Sequence, residues 1–279
     1  MQSDIAMDVF SNLIVSSFIF IFGAAIGSFL NVVIYRIPAH LSLLYPPSRC
    51  PICGHKLGKT ENVPILGWLW LRGKCRHCKT PISPRYPIIE TITAVLFVLV
   101  YLQFGFTLTT VGYWALLSWL LALSLIDLDT LTLPNALTQS GLIVGLGYQV
   151  VRGWMGEGLN TNVVEQLMFG VVGVVLGIWL FDIITVVASG ILGQTAMGGG
   201  DAKLAAMMGA WLGWKFLLLG CFLACVVGAV IGGGAIALGI LSRRQPMPFG
   251  PFLALGGAIA IFYGEQLITT YVNLFFPTL

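Results

Sequence analysis

Long apolar runs, repeated along most of the chain, constrain this sequence more than any other feature. A helix that crosses a bilayer needs about 20 mostly apolar residues. Eight segments are candidates, with approximate bounds 10–34, 87–104, 111–127, 136–152, 163–188, 201–214, 216–241 and 250–275. Only 9% of the residues are charged, whereas about a quarter are charged in soluble domains. The sequence therefore predicts an all-α polytopic membrane protein with about eight transmembrane helices.

The first apolar run is expected to remain in the mature protein. Residues 1–10 include Asp4 and Asp8 but no Lys or Arg, so the basic start of a secretory signal peptide is missing. The apolar run 10–34 is also too long for the core of such a signal. We interpret it as a retained transmembrane helix.

Basic residues are concentrated in one loop and predict the orientation of the chain. Nine of the fourteen Lys and Arg residues lie between Arg36 and Arg85. Cytoplasmic segments carry such an excess of positive charge. With eight spans and an external N-terminus, this loop, Lys203 and the Arg243–Arg244 pair are all cytoplasmic. The sequence therefore predicts a bacterial inner-membrane protein with both termini in the periplasm.

Four cysteines in the loop 36–86 form two Cys-x-x-Cys pairs, Cys50 with Cys53 and Cys75 with Cys78. Two such pairs supply the four corners of a tetrahedral zinc site. A loop of this length builds little core, so a bound metal would supply folding free energy. Disulfides and free thiols are the alternatives, although structural disulfides are rare in the cytoplasm. We predict a small cytoplasmic zinc-ribbon-like loop that binds Zn²⁺ or a similar metal.

Acidic side chains within the apolar segments are few, and such groups are costly and usually functional. Asp127 and Asp129 precede the helix end expected near Pro134, and Asp201 opens a helix after Gly198, Gly199 and Gly200. The predicted topology puts Asp127 and Asp201 at the same cytoplasmic level of the membrane. Two carboxyl groups that meet can share a proton and activate water, as in aspartic proteases. Cation binding by the pair, a helix N-cap role for Asp201 and a simple interfacial charge at Asp129 are the alternatives.

The helix ends also predict how the two aspartates divide the work. Asp127 is expected near a helix C-terminus, where the helix dipole disfavours a carboxylate, and Asp201 at a helix N-terminus, which favours one. We therefore expect Asp127 to hold the shared proton and Asp201 to take a proton from water.

Six motifs in the same order resemble those of the type IV prepilin peptidases, also called prepilin leader peptidase/N-methyltransferases. They are Gly27–Arg36, the two cysteine pairs with the segment that links them, Tyr86–Glu90, Ile126–Pro134, Gly198–Asp201 and Pro248–Phe252. Gly198–Asp201 is similar to the G-x-G-D motif that names a wider group of intramembrane aspartyl proteases. Two features depart from the family pattern. Asn135 stands where many members carry Asp, and segment 192–197 lacks a Lys-Glu pair common before G-x-G-D.

The resemblance implies an aspartic endopeptidase with Asp127 and Asp201 as its catalytic pair. It implies cleavage of type IV prepilin and pseudopilin leaders at the cytoplasmic face, serving type IV pili or type II secretion. Methylation of the new N-terminus with S-adenosylmethionine would follow. We expect these substrates and the lipid bilayer as partners, and no nucleic acid. Residues 1–35 are expected to form the first transmembrane helix, 36–86 the metal-binding and methyltransferase region, and 87–279 the peptidase domain.

The site of the methyl donor is not recognisable, because no Gly-x-Gly-x-x-Gly motif follows a strand. Glu90, an acid at the start of a span near the loop, is a candidate for contacting the new amine. Pairing of Glu90 with a loop arginine is an equal alternative. Two rival functions are a membrane transporter for metal cations and a non-catalytic secretion assembly factor. A transporter would distribute its acids along a path across the membrane, and an assembly factor leaves both aspartates without a role.

Overall fold

The computed structural model describes residues 2–156, 162–192, 198–240, 242 and 247–276. These residues form eight helices and no β-strand. The helices are α1 (Gln2–Arg36), α2 (Leu66–Trp70), α3 (Arg85–Phe104), α4 (Leu108–Thr130), α5 (Asn135–Met155), α6 (Val163–Leu192), α7 (Gly199–Ala237) and α8 (Gly250–Phe275). Six of them, α1, α3, α4, α6, α7 and α8, are long and apolar enough to cross a membrane. The predicted class, an all-α polytopic membrane protein, is confirmed.

The count of six differs from the expected number of about eight for two reasons. Helix α5 has 21 residues, but polar side chains such as Gln149 and Arg152 lower its apolarity. Helix α7 contains both predicted segments 201–214 and 216–241 in one element of 39 residues. A straight helix of that length would extend about 58 Å, roughly twice the hydrocarbon thickness of a bilayer. Gly213 interrupts α7 with the non-helical dihedral angles φ 69° and ψ 178°.

Helix α7 reverses its direction at this interruption. Met208, before the break, contacts Gly257 of α8, and Gly220, after the break, contacts the adjacent Gly256. In a straight helix, residues 208 and 220 would lie about 18 Å apart and could not reach neighbouring positions of α8. Beyond the break, Phe216 packs beside Gly264, Gly220 against Gly256 and Gly228 beside Phe252. The second half of α7 is therefore antiparallel to α8, and the two halves of α7 correspond to the two predicted segments.

A buried glutamine satisfies the backbone at the break, and a second buried glutamine holds the first. Gln149 of α5 donates from Nε2 to the carbonyl oxygens of Ala210 and Trp211, at 3.1 and 3.0 Å. Gln166 of α6 donates to Gln149 Oε1 at 2.8 Å. An interrupted helix frees carbonyl groups, which inside a membrane protein need donors from neighbouring helices or from ordered water. The amide of Gln149 supplies the missing donors and the amide of Gln166 holds Gln149 in place, which explains why polar residues occupy the centre of the α5–α6–α7 contact.

Replacing Gly213 with Ala should destabilise the fold strongly. Its dihedral angles lie in a region essentially restricted to glycine, and such strain costs about 1–3 kcal/mol. The added Cβ would also overlap the ring of Phe169. Thermal unfolding of the detergent-solubilised protein measures the effect. Gly234→Ala is the matched control, because a Cβ on Gly234 of the same helix meets no atom within 4 Å in the part of the chain that the structure describes. Equal melting temperatures for the two variants would contradict the strained reversal.

The chain divides into two compact units, residues 1–110 and 111–279. In the first unit α1 and α3 pack antiparallel, with Gly23 against Ala94 and Gly27 against Glu90. Because α3 packs along α1, it belongs to the first unit, and the division falls in the first turn of α4. The assignment of functions to segments 1–35, 36–86 and 87–279 stays a prediction.

Candidate active site

Asp127 lies in the last turn of α4 and is 5% exposed. Leu131 ends the helix with a positive φ of 53°, and its N–H donates to the Asp127 carbonyl oxygen at 2.9 Å. The side chain of Asp127 accepts at Oδ2 a hydrogen bond from the N–H of Gly250, at 2.9 Å. Gly250 is the first residue of α8. The carboxyl group of Asp127 is therefore held between the end of one helix and the start of another.

Asp201 is the third residue of α7 and is 9% exposed. The N-cap position is occupied by Gly198, which is extended at φ −78° and ψ 145°, so Asp201 does not fill the N-cap role considered from the sequence. Gly198 and Gly199 are exposed, and a Cβ on either would meet no atom of the described residues within 4 Å. A Cβ on Gly200 would lie 3.1 Å from the Leu133 side chain. The glycine run thus leaves open space beside Asp201 while its last member packs against the α4–α5 connection.

The second unit brings Asp127 and Asp201 together. The two carboxyl groups lie close enough for direct electrostatic repulsion between their charges. Both are buried, and they come from helices that are remote along the chain. Asp129, two residues after Asp127, is exposed, as expected for residues on nearly opposite sides of a helix. The arrangement provides one buried pair of carboxyl groups and leaves Asp129 outside it.

The helix ends that surround the aspartate pair differ from those expected from the sequence. Asp127 does lie at the C-terminus of α4, but the N-terminus of α8 also faces it through the Gly250 amide. Asp201 lies at the N-terminus of α7. Since a helix N-terminus meets each carboxyl group, the helix dipoles do not distinguish the two residues. The expected location of the shared proton on Asp127 stays a prediction.

Two contacts near the pair were not foreseen from the sequence. The first is the Gly250 amide, although the Pro248–Phe252 motif was a signal without an assigned role. The second links the starts of α5 and α7, where Lys203 Nζ donates to Asn135 Oδ1 at 2.7 Å. Asn135 is one of the positions at which the sequence departs from the family pattern. Its amide oxygen accepts the hydrogen bond of Lys203 without adding a further negative charge near the aspartates.

The four loop cysteines converge as the sequence predicts. The Sγ atoms of Cys50, Cys53, Cys75 and Cys78 all lie within 4.8 Å of one another. The closest pairs, Cys50–Cys78 and Cys53–Cys75, are 3.7 and 4.0 Å apart. Four thiolates at about 2.3 Å from a tetrahedral zinc ion lie about 3.8 Å from each other. The cluster therefore fits a metal ion of this kind, and the described residues contain no other group of three or more such ligands in reach of one ion.

The two cysteine pairs share one backbone pattern. In the first turn the Cys50 N–H donates to the His55 carbonyl and the Gly54 N–H to the Cys50 carbonyl, both at 2.9 Å. The second turn repeats this with Cys75, Thr80 and Lys79. Gly54 and Lys79 occupy equivalent positions with φ 70° and 60°. The repeated turn aims the thiols of each pair to the same side.

The thiols of the cluster differ in how readily they lose a proton: hydrogen bonds lower the pKa of Cys50, whereas burial and the neighbouring thiols raise the pKa of Cys53 to about 11. Thr80 Oγ1 lies 3.2 Å from Cys78 Sγ, and this hydrogen bond, with one from the Thr80 backbone, lowers the pKa of Cys78 to about 6. A thiolate is the form of cysteine that ligates zinc.

Replacing Cys78 with Ser should remove tightly bound metal from the purified protein. A hydroxyl group is a poor ligand for zinc, and the three remaining thiolates leave one corner of the tetrahedron open. The metal content measured by elemental analysis is expected to fall from about one ion per chain to a small fraction of that. Cys225→Ser, an exposed position of α7 outside the cluster, is the matched control and should keep its metal. Full metal content in both variants would exclude the four-cysteine site.

Glu90 supports the loop that joins α1 to α3. It is 7% exposed, accepts the N–H of Ile65 at Oε2 at 2.6 Å, and has a further hydrogen bond with Ser28. A loop arginine, Arg76, pairs instead with Glu61 at 3.7 Å. Contact between Glu90 and a substrate amine stays a prediction.

Two family models match this chain, one in each of its two compact units. Residues 21–104 match the bacterial peptidase A24 N-terminal domain, and residues 114–233 match the type IV leader peptidase family. A prepilin leader peptidase/N-methyltransferase of Aeromonas hydrophila is 38% identical, covering 93% of this chain and 94% of the relative. The chain belongs to the type IV leader peptidase family. Relatives with the same name from Stutzerimonas stutzeri and Pseudomonas aeruginosa are also 38% identical, over 91% and 90% of this chain and 92% and 91% of their own.

Membership of the type IV leader peptidases agrees with the geometry of both units. The N-terminal match lies in the unit with the cysteine cluster, and the peptidase match contains both Asp127 and Asp201. Gly250 lies beyond the matched residues. With its six candidate spans, this family member is a multi-pass protein of the inner membrane. No solved structure matches the chain significantly.

Proposed function

We propose that this chain cleaves the leader peptides of type IV prepilins and pseudopilins, with Asp127 and Asp201 as its catalytic pair. The observation that carries this proposal is the buried, electrostatically interacting pair of carboxyl groups in a type IV leader peptidase. The relatives are named prepilin leader peptidase/N-methyltransferase. The similarity covers nearly the whole of each chain, so the reaction of the relatives is the one for which this site is suited.

The chemistry requires one ionised and one protonated aspartate. Two close carboxyl groups repel each other when both are charged, so one shared proton is favoured. The ionised aspartate takes a proton from water, whose oxygen attacks the scissile carbonyl carbon, while the other donates its proton to the carbonyl oxygen. As the C–N bond breaks, the leaving nitrogen receives the proton taken from water. The aspartate that protonated the carbonyl oxygen then recovers its proton from the hydroxyl group formed at that oxygen.

The surrounding residues orient this pair and admit the substrate. The Gly250 N–H fixes Oδ2 of Asp127 and so sets the direction of its other oxygen. The open space at Gly198 and Gly199 suits an extended peptide backbone, because a helix must unwind before its peptide bond can be attacked. Gly200 packs against Leu133, and we assign the exposed Asp129 a supporting role in the loop that follows α4. In this proposal the active site opens to the cytoplasm and both termini are periplasmic, as the distribution of basic residues predicts.

The second reaction is methylation of the N-terminal amine that cleavage releases. S-adenosylmethionine would supply the methyl group. The segment 36–86 is the proposed region for this step, with Glu90 holding its loop through the Ile65 amide. The four cysteines would hold Zn²⁺ in a closed, four-coordinate site, which suits a structural metal and leaves no open position for catalysis.

A single assay tests both reactions. The purified, metal-loaded protein is incubated with a prepilin and S-adenosylmethionine labelled in its methyl group. We expect a shorter pilin product that carries the label at its new N-terminus. Cleavage without label would remove the methyltransferase proposal only, and an intact prepilin after incubation with folded protein would reject the peptidase proposal.

A further inference from the structure

Helix α2 presents an apolar face that no part of the described chain covers. Its inner side is fixed, since Gly67 is buried and Trp68 Nε1 donates to the Ile82 carbonyl at 3.0 Å. Its outer side carries Leu66, Leu69 and Trp70, whose exposed fractions are 61%, 55% and 85%. Three large apolar side chains on five consecutive residues would be unfavourable in water. The question is therefore whether water, lipid or another protein surface faces these three side chains.

A hydrogen bond fixes the depth of α2 along the spans of its own unit. The N–H of Ile65, the residue that precedes α2, donates to Glu90 Oε2 at 2.6 Å. Helix α3 has 20 residues, and 20 residues extend about 30 Å, which is the whole hydrocarbon thickness of a bilayer. Glu90 is five residues from the start of α3, or about 7 Å along its axis. The start of α2 consequently lies level with the second turn of α3. This is inside the end of a membrane span, at the depth of the lipid interface.

The backbone of this segment is suited to a poorly hydrated environment. The amides of Gly67, Leu69 and Leu71 donate to the carbonyls of Val63, Ile65 and Gly67. The Leu66 amide donates to the Pro64 carbonyl at 2.6 Å, so Ile65 forms a tight turn with φ 61° and ψ −58°. A β-branched residue is strained at positive φ. The carboxyl group of Glu90 accepts the amide of Ile65 as well, and pairing of backbone groups is what an apolar environment requires.

We propose that α2 is embedded in the membrane interface, with Leu66, Leu69 and Trp70 against lipid, and that it holds the four-cysteine loop at the bilayer surface. The occupant is lipid because α3, to which Glu90 ties the start of α2, is itself a candidate membrane span whose Ile88 and Ile92 are 53% and 42% exposed. Tryptophan is enriched at this level of a bilayer. The exposed Arg72 and Lys74 follow α2 directly, and their charges suit anionic lipid headgroups.

A fluorescent amino acid introduced by amber suppression at position 70 tests the proposal. The full-length protein is placed in nanodiscs, and quenching by nitroxide-labelled lipid is compared with quenching by aqueous iodide. The same probe at Leu99, an exposed position of α3 five residues from its C-terminal end, is the lipid reference. The probe at Lys56, an exposed position of the cysteine loop, is the water reference. We expect position 70 to resemble Leu99, with iodide quenching several-fold weaker than at Lys56.

Two other results would overturn the proposal. Strong iodide quenching with no effect of the labelled lipid would put α2 in water. Protection from both quenchers would mean that a protein surface covers it. Unchanged metal content verifies the fold of each labelled protein, and the quenching difference between the wild type and Trp70→Phe provides the same information from the native side chain. The test uses no activity measurement, so its result is independent of the proposed peptidase reaction.

Discussion

Replacing Asp201 with Asn should abolish leader cleavage, with the rate falling about a thousandfold or more. The amide of Asn can neither take a proton from water nor donate a carboxylic acid proton to the scissile carbonyl, so the pair loses one of its two catalytic groups. Asp127→Asn should have an equal effect, and the double variant should be no slower than either single one, because the two residues act as a unit. The rate is measured from the shift of a purified prepilin on a gel under single-turnover conditions.

The control for these variants is Asp182→Asn. Asp182 is an exposed acid on α6, so its replacement makes the same chemical change away from the buried pair. We expect it to cleave at the wild-type rate. Metal content and melting temperature verify that the Asp127 and Asp201 variants are folded. Substantial cleavage by a folded Asp201→Asn protein would exclude the proposed catalytic pair.

Gly250→Ala should lower cleavage by about a hundredfold while the protein stays folded. A Cβ on Gly250 would lie 2.7 Å from Asp127 Oδ2, so the carboxyl group must move. A displacement of about 1 Å at a catalytic group costs on the order of a hundredfold in rate. Alanine suits the backbone of this position, because Gly250 is the first residue of a helix. The effect is expected mainly in kcat, since the contact orients a reacting group and leaves the substrate surface unchanged.

Gly233→Ala is the matched control for this prediction. Gly233 lies in α7, and a Cβ there meets none of the described atoms within 4 Å. Both variants add one methyl group to a helical glycine of the second unit, but only one of them touches Asp127. If both cleave prepilin equally fast, the hydrogen bond from α8 does not position the catalytic carboxyl group.

The sequence was most informative where one local property decides the outcome. A run of apolar residues must form a helix in lipid, because only a helix satisfies every backbone group within one segment. The fold class therefore followed from composition and run length alone. The two predicted segments on either side of Gly213 are found as the two halves of α7. The cysteine cluster followed from its spacing, because a tetrahedral metal needs two closely spaced ligands from each turn.

The sequence was less informative where remote residues meet. The amide of Gly250 reaches Asp127, and the side chain of Gln149 reaches the carbonyls of Ala210 and Trp211. A backbone amide carries no signature in the sequence. A glutamine in an apolar helix indicates only that some polar partner exists.

By itself, the sequence determined that this chain is a bundle of membrane helices with a cysteine-rich loop, and it singled out Asp127 and Asp201 as the acids of interest. Only the tertiary structure decided that α7 turns back at Gly213, that the start of α8 holds Asp127, and that Glu90 binds the turn at Ile65. The reason is physical. Hydrophobicity and ligand spacing act over a few neighbouring residues, whereas the environment of a buried carboxyl group is set by whichever helices pack around it.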